Sequence, residues 1–252
     1  MPTVNVRGVP IFYAQRLGGE YHLVFVHGAG GSHQIWLHQL NSLRQANVYA
    51  LDLPGHGRSG SEGRGTIGEY GDLVVAFLDA LGIEKAVISG HSMGGATALD
   101  LALRYPRRIA GLVLVCTGAR LRVTPLILNG IRENFQGAVD LIGQFAYGPE
   151  APIEAIRLGQ EQIASTPPDV LYHDFAACDA FDVLDRLGEI HCPTLVISAT
   201  ADQLTPLKYG TYLQEHIANA QLAVIEGAGH MAMLERPAQV TQTIQDFLTS
   251  LG

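Results

Sequence analysis

Positive charge is scarce in this sequence: 16 Lys and Arg stand against 24 Asp and Glu, a formal net charge of −8. No basic cluster offsets that balance, which argues against nucleic acid or an anionic membrane surface as a partner, since both call for a basic face. Cysteine is scarce too. The three present, Cys116, Cys178 and Cys192, are an odd number set in apolar surroundings. A disulfide framework is thereby disfavoured, and the reading is of buried free thiols in a reducing cytoplasm. No run approaches the roughly 20 apolar residues of a membrane span. The opening stretch MPTVNVRGVP has neither the charged start nor the apolar centre of a signal peptide, so a soluble, uncleaved chain is expected. No two histidines show the HxxxH spacing of a helical metal site; neither a metal nor a cofactor is expected. Internal repeats and low-complexity segments are also missing.

What is present is an apolar fraction of 47%, with 29 glycines and 12 prolines, which suits a compact enzyme-like globule with many tight turns. Thr3–Arg7 and Ile11–Gln15 read as an N-terminal hairpin. Tyr21–Val26 is nearly continuous in apolar residues, the mark of a strand covered on both faces. Helical spacing follows over Ser32–Gln45, then a strand at Asn47–Leu51, a helix over Thr66–Leu81, and strands at Ala86–Ser89 and Ile109–Cys116. The alternation of strand and helix predicts a mostly parallel, twisted sheet with helices on both faces. After the sixth strand it stops. From Ala119 to about Leu184 only helical segments occur, broken by glycines and prolines, and no polar linker flanks them. That stretch is expected to be a helical cap inserted into one domain spanning 1–252 rather than a separate unit. The sheet resumes at Thr194–Ser198, with a helix near Lys208–His216, a strand at Gln221–Ile225 and a last helix over Pro237–Leu248.

The most informative stretch is VISGHSMGGATALDLALR, residues 87–104. An apolar strand runs into an amphipathic helix through Gly90-His91-Ser92-Met93-Gly94, the GxSxG pattern of a nucleophile elbow. So sharp a turn forces its central residue into a strained backbone conformation, and side chains at Gly90 or Gly94 would collide with the neighbouring strand or helix. The hydroxyl of Ser92 is pushed outward at the carboxyl end of the strand. The amide of Met93, in the first helical turn, points into the same space as a donor for an anion.

A serine hydroxyl needs a base, and the base needs a group to hold its tautomer. In open α/β sheets both should lie just beyond strand ends. His230 does so, in the glycine-rich loop Glu226-Gly227-Ala228-Gly229-His230. Among the other histidines, His27 and His56 are expected to bond backbone near the site, and His91 to face away from it. For the acid, Asp202 follows the strand ending at Ser198; Glu226 and Glu235 are the alternatives nearer in sequence to His230. The chain order is Ser92, Asp202, His230.

With HGAGG at 27–31, DLPGHGRS at 52–59, GHSMGG at 90–95, the aspartate at 202 and GAGHM at 227–231 in order, the sequence resembles the α/β-hydrolase fold family over nearly its whole length, in its serine carboxylesterase-like branch. The resemblance implies that the residue after His27-Gly28, Ala29, gives a second oxyanion amide alongside Met93, and that DLPGHGRS is a structural loop. The expected reaction is acyl transfer to water on small to medium carboxylic esters. Enol-lactonase, carbon–carbon bond hydrolase and perhydrolase activities share the triad and remain open, as does a ligand-binding receptor with an unused triad. Within the cap, some of Leu126, Ile127, Leu128, Ile131, Phe135, Leu141, Ile142, Phe145, Tyr147, Leu171, Tyr172, Phe175 and Phe181 should line an apolar pocket, with Arg120 and Arg122 at its entrance. Oligomeric state is not legible.

Overall fold

The computed structural model describes residues 2–251. Eight strands form one sheet: β1 (Thr3–Val6), β2 (Val9–Arg16), β3 (Tyr21–Val26), β4 (Ala46–Leu51), β5 (Ala86–His91), β6 (Ile109–Val115), β7 (Thr194–Ala199) and β8 (Ala220–Ile225). The helices are α1 (Leu37–Ser42), α2 (Ile67–Ala80), α3 (Met93–Arg104), α4 (Pro125–Glu133), α5 (Phe135–Ala146), α6 (Ile153–Ser165), α7 (Pro168–Ala180), α8 (Leu207–His216), α9 (Ala232–Glu235) and α10 (Pro237–Thr249). In space the strands run β1-β2-β4-β3-β5-β6-β7-β8. The first two are antiparallel to their neighbours, and every pair from β4 to β8 is parallel. This is the α/β architecture that the alternating pattern implies, with α4–α7 inserted after the sixth strand.

Strand residues alternate between two cores. Val24 and Val26 of β3 face one side with Leu73, Phe77 and Leu99 from α2 and α3, while Leu23 and Phe25 face the other with Leu40, Ile244 and Phe247 from α1 and α10. Phe25 stacks on Trp36 with ring centroids 4.4 Å apart. Both rings are fully buried, and burial of a side chain of this size contributes roughly 1.5–3 kcal/mol. A third cluster, Ile127, Ile131, Ala138, Ile142 and Leu171, holds α4, α5 and α7 to one another.

Two local expectations are corrected. The helix expected over Ser32–Gln45 is a 3-10 turn, His33–Trp36, followed by the short α1. It ends early because Leu43 is extended and buried in the core, with its carbonyl accepting from the Arg16 guanidinium. Cys116 and Cys178 are buried free thiols, but Cys192 is only half-buried. No helix among the described residues is long and apolar enough to cross a membrane.

Because β4 and β5 flank β3 on opposite sides, successive connections leave the sheet in opposite directions there. Such a switch point opens a crevice beyond the strand ends. The loop after β3 and the turn after β5 both lie at it.

Candidate active site

At the end of β5, Ser92 adopts φ 52° and ψ −116°, a left-handed conformation that costs a non-glycine residue about 1–3 kcal/mol. The surroundings hold it there. Its amide donates to the Val115 carbonyl at 3.1 Å, and its carbonyl accepts from Thr117 Oγ1 at 2.7 Å, both at the end of β6. The flanking glycines are required by close approach: a Cβ on Gly90 would sit 2.0 Å from the Gly94 carbonyl oxygen, and one on Gly94 2.3 Å from that of Val26. Strand β5 and helix α3 therefore meet at backbone distance, leaving the serine side chain at the rim.

His230 is buried in the loop after β8. Its Nδ1 lies 3.0 Å from Asp202 Oδ2 and 3.2 Å from Thr205 Oγ1. Asp202, after β7, collects four donors: the His230 ring and Thr205 hydroxyl on Oδ2, and the Leu204 and Thr205 amides on Oδ1. Burial pushes its carboxyl up, but the imidazole and the Thr205 groups outweigh burial and bring its pKa down to about 2. It is therefore a carboxylate at neutral pH, able to hold the Nδ1 proton and leave Nε2 free as an acceptor. The two loops are joined by the Ala201 amide donating to the Ala228 carbonyl at 2.9 Å.

Ser92 and His230 line one cavity of about 270 Å³, together with Ala29 and His91. No hydrogen bond joins Ser92 Oγ to His230 among the described residues, so the structure brings Asp202 onto His230 and places Ser92 in the same cavity without that last contact. The Met93 amide heads α3, where helical amides lack intrahelical partners. The peptide that carries the Ala29 amide is fixed from its other end, where the Gly28 carbonyl accepts from His27 Nδ1 at 2.8 Å. His27 Nε2 accepts from the Leu53 amide, so this ring is neutral; burial, then the nearby His56, lowers its pKa to about 4.

Three groups differ from the sequence reading or were missed by it. His91 does not face away: it lines the cavity, its ring 4.6 Å from that of His230, and its Nε2 donates to the His230 carbonyl at 3.0 Å. Burial, followed by the repulsion of His230, holds its pKa well below the ordinary value, so it buttresses the His230 loop as a neutral ring. Glu235 sits on α9 with its carboxylate on the Gly148 and Gly229 amides, which ties the His230 loop to the cap rather than orienting the imidazole. Thr205 had no sequence signal beyond following Asp202. Glu226 is exposed at the end of β8.

Of the apolar cap residues singled out, Ile127, Ile142 and Phe175 line the cavity, while Ile131 and Leu171 pack within the cap and Leu126 is exposed. Arg122 lines it as well, with its guanidinium donating to the Asp179 carbonyl. Arg120 lies outside, 3.7 Å from Asp182. In DLPGHGRS, Asp52 accepts from the His33 amide and ring and from the Arg58 amide, a set of contacts internal to the scaffold.

A model of the alpha/beta hydrolase family matches residues 23–243, and the chain belongs to that family. Among curated relatives, 3-oxoadipate enol-lactonase 1 of Acinetobacter baylyi is 31% identical over 91% of this chain and 89% of its own length. The 2-hydroxy-6-oxo-6-phenylhexa-2,4-dienoate hydrolase of Comamonas testosteroni is 29% identical over 94% of this chain and 91% of its own. Among solved structures, a thermophilic esterase superposes with a TM-score of 0.89 at 36% identity, covering 100% of this chain and 98% of that one. The enol-lactonase of Burkholderia xenovorans reaches 0.91 at 28% identity, covering 98% of this chain and 100% of that one. The chain is thus a hydrolase of the α/β family.

Proposed function

We propose that this hydrolase is a carboxylesterase that cleaves small to medium carboxylic esters through an acyl-enzyme on Ser92. The observation that carries the proposal is the buried Asp202–His230 pair at 3.0 Å opening into the cavity that Ser92 lines. His230 Nε2 takes the Ser92 proton as Oγ adds to the ester carbonyl; Asp202 steadies the resulting imidazolium. The Met93 and Ala29 amides receive the oxyanion. Collapse expels the alcohol, which takes the proton from Nε2, and water repeats the sequence on the acyl-enzyme. Unliganded sites commonly leave the serine–histidine bond unformed and tighten it once substrate is bound.

Substrate size follows from the walls. A volume of about 270 Å³, lined by Ile127, Ile142, Phe175 and Met231, favours a compact apolar acyl or alcohol group over a long lipid chain. The enol-lactonase relatives support a second reading in which the scissile ester is cyclic. Three free thiols suit a reducing compartment, so the proposal places the enzyme in the cytoplasm, acting as one unit with its cap over about 119–184.

Turnover of p-nitrophenyl acetate, butyrate, hexanoate and laurate, beside an enol-lactone and a vinylogous diketone, tests this, with Ser92→Ala as control. The expected result is Ser92-dependent hydrolysis that favours the shorter aryl esters. Preference for the enol-lactone would select the second reading; hydrolysis that survives in Ser92→Ala would reject both.

A further inference from the structure

Outside the groups assigned to the chemistry, a buried ionisable cluster joins the cap to the loop after β4. Asp174, on α7 of the cap, is fully buried. Its Oδ1 accepts from the Tyr70 hydroxyl at 2.6 Å, and its Oδ2 from the Gly30 amide at 2.9 Å and from His56 Nε2 at 2.7 Å. The other nitrogen of His56, Nδ1, faces the Pro54 carbonyl at 2.9 Å. Both ring nitrogens thus look at oxygens that only accept, and satisfying both requires two N–H donors: the ring is an imidazolium. Burial opposes that charge, but Asp174 outweighs burial and keeps the His56 pKa above its ordinary value. The cap and the loop after β4 are joined by a buried ion pair.

The third donor connects this pair to the site. Gly30 follows Ala29 and has φ +63°, and a Cβ there would lie 2.6 Å from Leu171 Cδ1 of α7. While its amide is held by Asp174, its carbonyl accepts from Thr166 Oγ1, between α6 and α7, at 3.1 Å. Both backbone groups of Gly30 are therefore held by the cap, and the Gly28 carbonyl is held from the sheet side by His27. The Ala29 amide lies between these two grips.

We propose that Asp174, paired with His56, is a positioning residue that sets the loop aiming the Ala29 amide, so that seating the cap and assembling the oxyanion site are one event. This rests on the reading above, in which that amide receives the oxyanion. The groups facing the pair are His27 and Asp52 from the sheet side, Tyr70 of α2 with the Arg64 amide on its hydroxyl, and Cys178 one turn along α7. Burial keeps His27 neutral and holds the Tyr70 hydroxyl and Cys178 thiol protonated, and the His33 and Arg58 contacts keep Asp52 ionised against burial. His56 is then the member that changes charge on the alkaline side. Its pKa is raised on folding, so the charge of His56 is lost, and the pairing with it, as pH rises through that raised value.

The test is Asp174→Asn, whose amide preserves shape but gives an imidazolium no counter-charge. The kcat for p-nitrophenyl acetate should fall by about tenfold to a hundredfold, short of losing an oxyanion donor outright, with KM nearly unchanged. Nitrogen-15 NMR of the wild-type protein at neutral pH, free of substrate, should show both His56 ring nitrogens protonated, with the signals assigned by their loss in His56→Gln. Should Asp174→Asn not fold, Thr166→Val should lower kcat in the same direction by less. A folded Asp174→Asn with wild-type kcat, or a neutral His56 ring at neutral pH, would overturn the proposal. Failure of the underlying reading shows separately, as turnover that survives in Ser92→Ala, because the ring signature is read without turnover.

Discussion

Replacing Asp202 by Asn removes one charge and almost no volume, and the four donors around the carboxylate fix the consequence. Oδ1 accepts two backbone amides at 2.9 Å each, which cannot turn away, so the new NH2 group must occupy the Oδ2 position facing His230 Nδ1. A donor there forces His230 into the opposite tautomer, with its proton on Nε2, the atom that in the proposed mechanism must be empty to accept the Ser92 proton. Loss of the correct tautomer and of the countercharge should lower kcat by about 10³–10⁴, or roughly 4–5.5 kcal/mol of transition-state stabilisation. The Thr205 hydroxyl can rotate to donate elsewhere, so folding should survive. Steady-state hydrolysis of p-nitrophenyl butyrate by the purified variant, with circular dichroism to verify the fold, measures the effect. A kcat within tenfold of wild type would refute the assignment of Asp202 as the group that orients the base.

Other outcomes follow from the same contacts. The Asp202 pKa drops from an ordinary 3.8 to about 2 on folding, which corresponds to roughly 2 kcal/mol of stability. Because the folded value is depressed, that contribution is present above pH 3.8 and is lost as pH falls toward 2, so denaturant titrations across that window should show a smaller loss in Asp202→Asn, where Asp52 and Asp72 still titrate, than in wild type. Gly94→Ala places a Cβ 2.3 Å from the Val26 carbonyl oxygen, a backbone atom that cannot yield. Overpacking of this kind costs about 1–3 kcal/mol or more, so differential scanning fluorimetry should show Tm lowered by at least about 2 °C, and an unchanged Tm would contradict the elbow geometry. Met93→Ala keeps the backbone donor, so kinetic assay should show it retaining far more activity than Ser92→Ala, which should lose about 10³-fold or more; equal losses would show that the side chain, not the amide, matters.

The parts of the fold that could be read from the sequence are those whose cause is local. Gly90 and Gly94 announce the elbow because their requirement is steric and lies within five residues, and Asp202 and His230 could be proposed because each follows an apolar run that reads as a strand. The helical spacing through Leu40 and Leu43 continues past the end of α1, whereas Leu43 is captured as an extended residue by the core. Side-chain direction was harder. His91 turns toward the cavity because the His230 carbonyl, 139 residues away, accepts from it. Likewise, the pair His56–Asp174 spans 118 residues between a sheet loop and a cap helix, and no local pattern marks either residue as charged and buried.

The most direct trial of the account is to find where the acyl or phosphonyl group lands. Wild-type protein treated with a fluorophosphonate, digested and sequenced by mass spectrometry, should carry the adduct on Ser92 alone, and labelling should slow sharply in His230→Gln and disappear in Ser92→Ala. Label on any other residue, or on Ser92 at an undiminished rate without His230, would contradict it.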